Sequence, residues 1–150
     1  MRHLRQNRLY FLKDRYKIDK LFLYTDGASR GNPGPSAIGA VIRDEKGNTL
    51  ARISRRIGST TNNQAEYRAT IAALEKAVSL GATSVELRAD SELLVKQING
   101  RYHVKNALLR PLYQQVVSLI GSLEDFKAVH IPRARNAEAD SLANKAFNGG

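Results

Sequence analysis

The chain has no cysteine and no tryptophan, and its one methionine is Met1. The absence of thiols excludes disulfides and thiolate metal sites, and it lets the chain fold in any redox compartment. No stretch is long and apolar enough to span a bilayer, so a membrane is not an expected partner. The N-terminal apolar run from Leu9 to Leu12 is too short for the core of a secretory signal. An intracellular, cytoplasmic location is the default expectation. Asp14, Asp19 and a lack of serine weigh against an Arg-rich organellar leader, although that targeting stays open. Acidic residues are in deficit: 14 Asp and Glu face 24 Lys and Arg, for a formal net charge of +10. A polyanionic partner is the economical reading of that imbalance, and a merely solubilising surface is the alternative.

What is present suits one domain. The length of 150 residues can bury a substantial core, and neither a repeat nor an internal linker divides it. The charge is unevenly placed. Residues 1–20 hold seven Lys or Arg against two Asp, which is half of the net charge. Residues 1–19 read as a basic arm in which Leu9, Leu12 and Tyr16 have helical spacing, and residues 20–150 read as the folded domain.

Within that domain the pattern predicts strands over residues 20–25, 37–43 and 49–57, joined by a turn region over 27–35 dense in Gly and Pro and by a hairpin turn over 44–48. A helix is predicted over 63–80, with Gly81 as its stop. A fourth strand over 84–89 follows it, and a right-handed crossover lays that strand parallel to the first. Helices over 91–98 and 105–120, a fifth strand over 126–131 and a last helix capped by Asn136 complete the chain. The expectation is an α/β fold: a five-stranded mixed sheet, three strands antiparallel and two parallel, flanked by helices.

Four carboxylates stand at telling places in this frame. Asp26 ends Leu23-Tyr24-Thr25-Asp26, and Asp90 ends Leu87-Arg88-Ala89-Asp90. Both fall at the carboxyl ends of strands expected to be central, where open α/β sheets form their ligand crevice. Glu66 follows Thr60-Thr61-Asn62-Asn63 in the first turn of a helix, and Asp140 follows Asn136 in the first turn of another. Each alone has a local explanation as a turn, a cap or a favourable helix-dipole charge. Converging on one point, they would repel one another unless a hard cation sat among them. That implies Mg2+ or Mn2+ and phosphoryl chemistry.

Five segments in register, Tyr24-Thr25-Asp26-Gly27, Gly31-Asn32-Pro33-Gly34, Thr60-Thr61-Asn62-Asn63 through Glu66, Ala89-Asp90-Ser91, and Asn136 through Asp140, resemble type 1 ribonuclease H. The resemblance runs from about residue 20 to 147. It implies the ribonuclease H-like fold and an endonuclease that cuts the RNA strand of an RNA–DNA hybrid, leaving 5′-phosphate and 3′-hydroxyl ends. It also implies two Mg2+ ions, with Mn2+ as a substitute. By the family pattern Asp26 bridges the two ions, Asp90 and Asp140 ligate on the water side, and Glu66 ligates on the leaving-group side. Asn32, Thr61, Asn62 and Asn63 match positions that contact sugar, phosphate and minor-groove edges, and the backbone at Gly27 and Ala28 approaches the ribose. The family pattern implies no obligate protein partner and a monomer.

Three departures qualify the resemblance. Glu92 follows Asp90-Ser91 where bacterial members usually have Gln, which alters base contact there. Residues 99–106 are short where bacterial members often carry a long basic insertion, with only Arg101, His103 and Lys105 as basic side chains. The loop before Asp140 is shortened to Pro132-Arg133-Ala134-Arg135, so Arg133 takes the place of the usual catalytic His. An arginine is no base at neutral pH, so its expected role is electrostatic. His130 alternates with Phe126 and Ala128 and is expected to be structural and partly buried. Rival readings are a nuclease of the same fold that also cuts double-stranded RNA or RNA–DNA junctions, a non-catalytic nucleic-acid binding module, and a polynucleotide transferase core.

Overall fold

Most strands alternate more and less buried side chains, whereas the strand Gly34–Arg43 is buried almost throughout because helices cover both of its faces. A computed structural model describes residues 20–148, and the basic arm over 1–19 lies outside the described residues. Strands β1 (Lys20–Ser29), β2 (Gly34–Arg43), β3 (Thr49–Thr60), β4 (Ser84–Ala89) and β5 (Asp125–His130) form one sheet in the order β3-β2-β1-β4-β5. β2 is antiparallel to β1 and β3, while β4 is parallel to β1 and β5. This is the expected mixed sheet of three antiparallel and two parallel strands.

Helices α1 (Asn62–Ser79), α2 (Glu92–Ile98), α3 (Arg110–Gly121) and α4 (Ala137–Asn148) flank it. Leu21, Leu23, Ala40 and Ile42 face one side of the sheet and pack with Ala73, Leu74 and Ala77 of α1 and Val116 of α3. α4 lies on the other side. A Cβ at Gly39 of β2 would stand 2.1 Å from the Ala139 carbonyl oxygen and 2.6 Å from the Ala143 nitrogen, so glycine there lets the helix backbone rest on the strand.

Several boundaries moved, each for a local reason. β1 runs through Gly27 and Ala28 to Ser29, where a turn was expected, and the Gly/Pro loop starts only at Arg30. β2 and β3 are longer than expected. A bulge between Ser36 and Ala37, with Gly58 at φ +81°, absorbs the twist and lets pairing continue to Gly34 opposite Thr60. α3 begins at Arg110 rather than near 105, because the Asn106 side chain accepts from the Leu108 nitrogen at 2.7 Å and holds the preceding turn. Leu108, ahead of the helix, is 61% exposed. Asn136 is no helix cap. It ends a 3₁₀ turn (Arg133–Asn136) that leads straight into α4, and its buried amide donates to the Thr25 carbonyl at 2.8 Å.

Candidate active site

The pairing of β1 with β4 ends at Thr25 and Ala89, so Asp26 and Asp90 stand one residue past it, Asp26 still within β1 opposite Gly39 of β2 and Asp90 just beyond the end of β4. Glu66 comes to them from the first turns of α1. Thr61 caps that helix in a reciprocal box: its hydroxyl accepts from the Gln64 nitrogen at 3.2 Å, and the Gln64 side chain accepts from the Thr61 nitrogen at 2.8 Å. The Thr-x-x-Gln spacing over residues 61–64 was the sequence signal for it.

Gly27 sets the depth of the approach. A Cβ there would stand 2.2 Å from the Ala65 carbonyl carbon and 2.4 Å from the Glu66 nitrogen. Only glycine lets α1 press its first turns against β1, and the Gly27 nitrogen then donates to Glu66 Oε1 at 3.3 Å. Carboxylate oxygens of Asp26, Glu66 and Asp90 consequently lie within 4.8 Å of one another. Asp140, on α4, stands outside that group of three but is near enough to raise the Asp26 carboxyl. Its carboxylate also accepts from the Asn144 amide at 3.4 Å. Three of the four carboxylates expected from sequence thus form one tight cluster, and the fourth joins it through Asp26.

The electrostatics follow from burial and crowding. Asp26 is 7% exposed and Glu66 6%. Desolvation, then the charge of Asp90 and the proximity of Asp140, push the Asp26 carboxyl from an ordinary 3.8 up to about 7. Glu66 is also raised well above its ordinary value, first by burial and then by the charge of Asp26. Without a counter-charge, burial and crowding thus favour the protonated form of both groups. Glu66 Oε2 is buried and has no hydrogen-bond partner among the described residues. An all-oxygen donor set, clustered charge and an orphaned buried oxygen fit a hard divalent cation and suit no softer metal.

The expected recognition residues surround this cluster to different degrees. Asn32 reaches across from the Gly/Pro loop, and its Oδ1 accepts from the Asn62 nitrogen at 3.1 Å, which ties that loop to the start of α1. Asn32, Asn62 and Asn63 are exposed, Ala28 and Thr61 are partly buried, and Gly27 is buried. Ser29 supports the same corner, its hydroxyl donating to the Thr60 carbonyl at 2.9 Å. Glu92 is exposed at the start of α2 and pairs with Lys96 at 2.8 Å, so its carboxylate is partly committed within its own helix. Arg133 is exposed at the start of the 3₁₀ turn, and among the described residues it makes no ion pair. His130 is exposed, contrary to the expectation of a partly buried position, because β5 ends there and nothing covers its last residue.

The fold and the carboxylate cluster define a mixed-sheet α/β protein with a candidate divalent-cation site, and comparison with known proteins gives the family. The profile of the reverse transcriptase-like family matches residues 24–146. Ribonuclease HI of Halobacterium salinarum is 44% identical over 129 residues, covering 86% of this chain and 65% of that relative. The crystal structure of RNase H1 from the same archaeon matches with a TM-score of 0.85 at 44% identity, over 87% of this chain and 99% of that one. The structure of LC11-RNase H1 in complex with an RNA/DNA hybrid matches with a TM-score of 0.82 at 46% identity, over 86% of this chain and 97% of that one. The chain belongs to the type 1 ribonuclease H family. It spans just under two thirds of the Halobacterium relative and 36% of the bifunctional protein Rv2228c of Mycobacterium tuberculosis, to which it is 45% identical over 130 residues.

Proposed function

We propose that this chain is a divalent-metal-dependent endonuclease that hydrolyses the RNA strand of RNA–DNA hybrids, giving 5′-phosphate and 3′-hydroxyl ends. The observation that carries the reading is the cluster of Asp26, Glu66 and Asp90 within 4.8 Å, with Asp140 against Asp26 and one Glu66 oxygen buried without a partner. Family membership and the hybrid bound by LC11-RNase H1 support the substrate.

In this reading Asp26 would serve both of two Mg2+ ions, Asp90 and Asp140 would hold the one on the water side and Glu66 the one on the leaving-group side, and Mn2+ would substitute. Bound there, the cations would supply activation of the attacking water and stabilisation of the departing 3′-oxygen. The remaining work falls to the chain. Asn32, Thr61, Asn62 and Asn63 present neutral donors and acceptors at the rim, suited to a duplex recognised by shape and by its 2′-hydroxyls. Gly27 and Ala28 offer close backbone approach to the ribose. Glu92, paired with Lys96, orders the neighbouring rim without a positive charge of its own. Arg133 stands exposed on the segment leading to α4 and stabilises negative charge developing on the phosphate.

The test is incubation of the full chain with a labelled RNA–DNA hybrid in Mg2+, in Mn2+ and in chelator. Cleavage confined to the RNA strand and abolished by chelator is the expected result, and cleavage that persists in chelator refutes the reading. A second substrate class is worth including because residues 99–106 are short and supply few basic side chains. Double-stranded RNA and chimeric RNA–DNA junctions in the same assay distinguish a strict hybrid nuclease from a broader one.

A further inference from the structure

Asp140 reaches the cluster only if α4 lies correctly on the sheet, yet the helix has little apolar purchase. Its fully buried residues are the two alanines Ala139 and Ala143. The helix backbone rests on Gly39, whose missing side chain offers it no interlocking contact against roll. Polar ties at both ends hold it. At the far end Ser54 Oγ donates to the Leu142 carbonyl at 2.6 Å, and Arg56 donates to the carbonyls of Ala146 at 2.9 Å and Phe147 at 2.7 Å. At the near end the tie is Glu138. Its Oε1 accepts from Arg43 Nη2 at 2.6 Å and its Oε2 from Arg52 Nε at 2.7 Å. The two guanidiniums come from different strands, Arg43 from the end of β2 and Arg52 from β3. Arg43 is further steadied over the Tyr24 ring, 5.4 Å from its centroid.

We propose that Glu138 is a positioning residue for Asp140: clamped between Arg43 and Arg52, it sets the roll of the first turn of α4 and so the place of the Asp140 carboxylate beside Asp26. The proposal rests on the reading of the cluster as a divalent-cation site. Residues two apart on a helix point in nearly opposite directions, about 200° around the axis. Glu138 therefore grips the β2–β3 side while Asp140 faces β1, and any roll that slackens the first moves the second. A side-chain carboxylate lies about 5–6 Å from the axis, so a roll of about 20° displaces it by about 2 Å. Metal–ligand distances tolerate only about 0.2 Å. The crowded carboxylates repel one another, and that repulsion pushes Asp140, and α4 with it, outward. The clamp opposes the push. Half-exposed ion pairs contribute little to global stability, so positioning and stability separate in experiment.

The experiment uses the full chain and its Glu138→Ala, Glu138→Gln and Arg52→Ala variants. Mn2+ affinity is measured by calorimetry, Tm in chelator, and kcat and KM on a hybrid. Loss of the clamp is expected to weaken Mn2+ binding about 10- to 100-fold in Glu138→Ala. Glu138→Gln, which keeps one acceptor geometry, and Arg52→Ala should fall between this variant and the unaltered chain. KM for the hybrid at saturating Mn2+ should not move, because Glu138 faces the sheet and not the rim. Tm in chelator should shift by no more than about 4 °C. Mn2+ affinity within about twofold of the unaltered chain in all three variants overturns the proposal, as does a loss of affinity that merely tracks a large fall in Tm, which would make Glu138 a structural residue. Failure of the unaltered chain to bind Mn2+ overturns the cation-site reading itself, a result visible before any variant is compared.

Discussion

Replacing Asp26 by Asn should make the cation-free protein more stable near neutral pH while abolishing cleavage. Asp26 is 7% exposed and crowded by Glu66, Asp90 and Asp140, and its carboxyl titrates at about 7 instead of 3.8. Ionising it in the folded state is therefore harder than in the unfolded chain. A rise of that size corresponds to about 4 kcal/mol at ~1.36 kcal/mol per pKa unit. Protons shared with Glu66 reduce what one substitution recovers, so the expected gain is about 2–4 kcal/mol at about pH 8. The sign follows from linkage. A carboxyl whose folded pKa is raised contributes stability that is fully present below its unfolded pKa and is lost as pH rises through its folded pKa. The unaltered protein in chelator should thus lose stability between about pH 4 and about pH 8, and Asp26→Asn should flatten that loss. At about pH 3.5, where the carboxyl is protonated in both states, the two proteins should melt within ~1 kcal/mol of each other. Urea melts in chelator across this range measure it. Adding Mn2+ provides the opposite arm: at about 100 times its Kd it should stabilise the unaltered chain by about 2.7 kcal/mol and the variant far less. A variant that is less stable than the unaltered chain at about pH 8 in chelator, or that keeps its turnover, refutes the account of Asp26 as a desolvated, cation-binding carboxylate.

Glu66→Gln should behave in the same direction in chelator, because its carboxyl is also raised by burial and by Asp26, and hybrid cleavage should fall below detection in a folded protein by circular dichroism. Gly27→Ala should cost about 3 kcal/mol or more, since a Cβ standing 2.2 Å from the Ala65 carbonyl carbon must push α1 off β1; a Tm within error of the unaltered protein would contradict that packing. Arg133→Ala should lower kcat by about 10- to 100-fold, or ~1–3 kcal/mol of transition-state stabilisation, with Tm unchanged. His130→Ala, at an exposed strand end, should change stability by no more than ~0.5 kcal/mol, and the reverse pattern of turnover loss would assign the proton-handling role to His130. Deleting residues 1–19, with their excess of Lys and Arg, should flatten the salt dependence of hybrid affinity by about 0.9 log units per lost phosphate contact; a lowered Tm with an unchanged slope would make the arm a packing element instead.

The mixed sheet and the elements that carry the four carboxylates were legible in the amino-acid order because they depend on local pattern. Apolar alternation over 20–25 and 84–89 marks strands, and Asp90 directly after the second marks its end, whereas β1 runs on past Asp26 to Ser29. The apolar line with Gly81 behind it marks α1. Such signals act over a few residues, within reach of periodicity and turn chemistry. What escaped was whatever two distant segments decide together. Gly27 read as a turn glycine, yet it is a strand residue whose missing side chain lets Glu66 meet Asp26. Asn136 read as a cap, yet its amide is spent on the Thr25 carbonyl. Glu138 carried no reading of its own, and nothing local could pair it with Arg43 and Arg52 on two other strands. His130 read as partly buried because alternation carries no information about where a neighbouring strand or helix stops covering it. The sequence by itself determined which groups are available and on which elements they stand. Their distances, the raised pKa values of Asp26 and Glu66, and the hold on α4 were decided only by tertiary structure, because desolvation and charge coupling depend on separations in space that chain order does not specify.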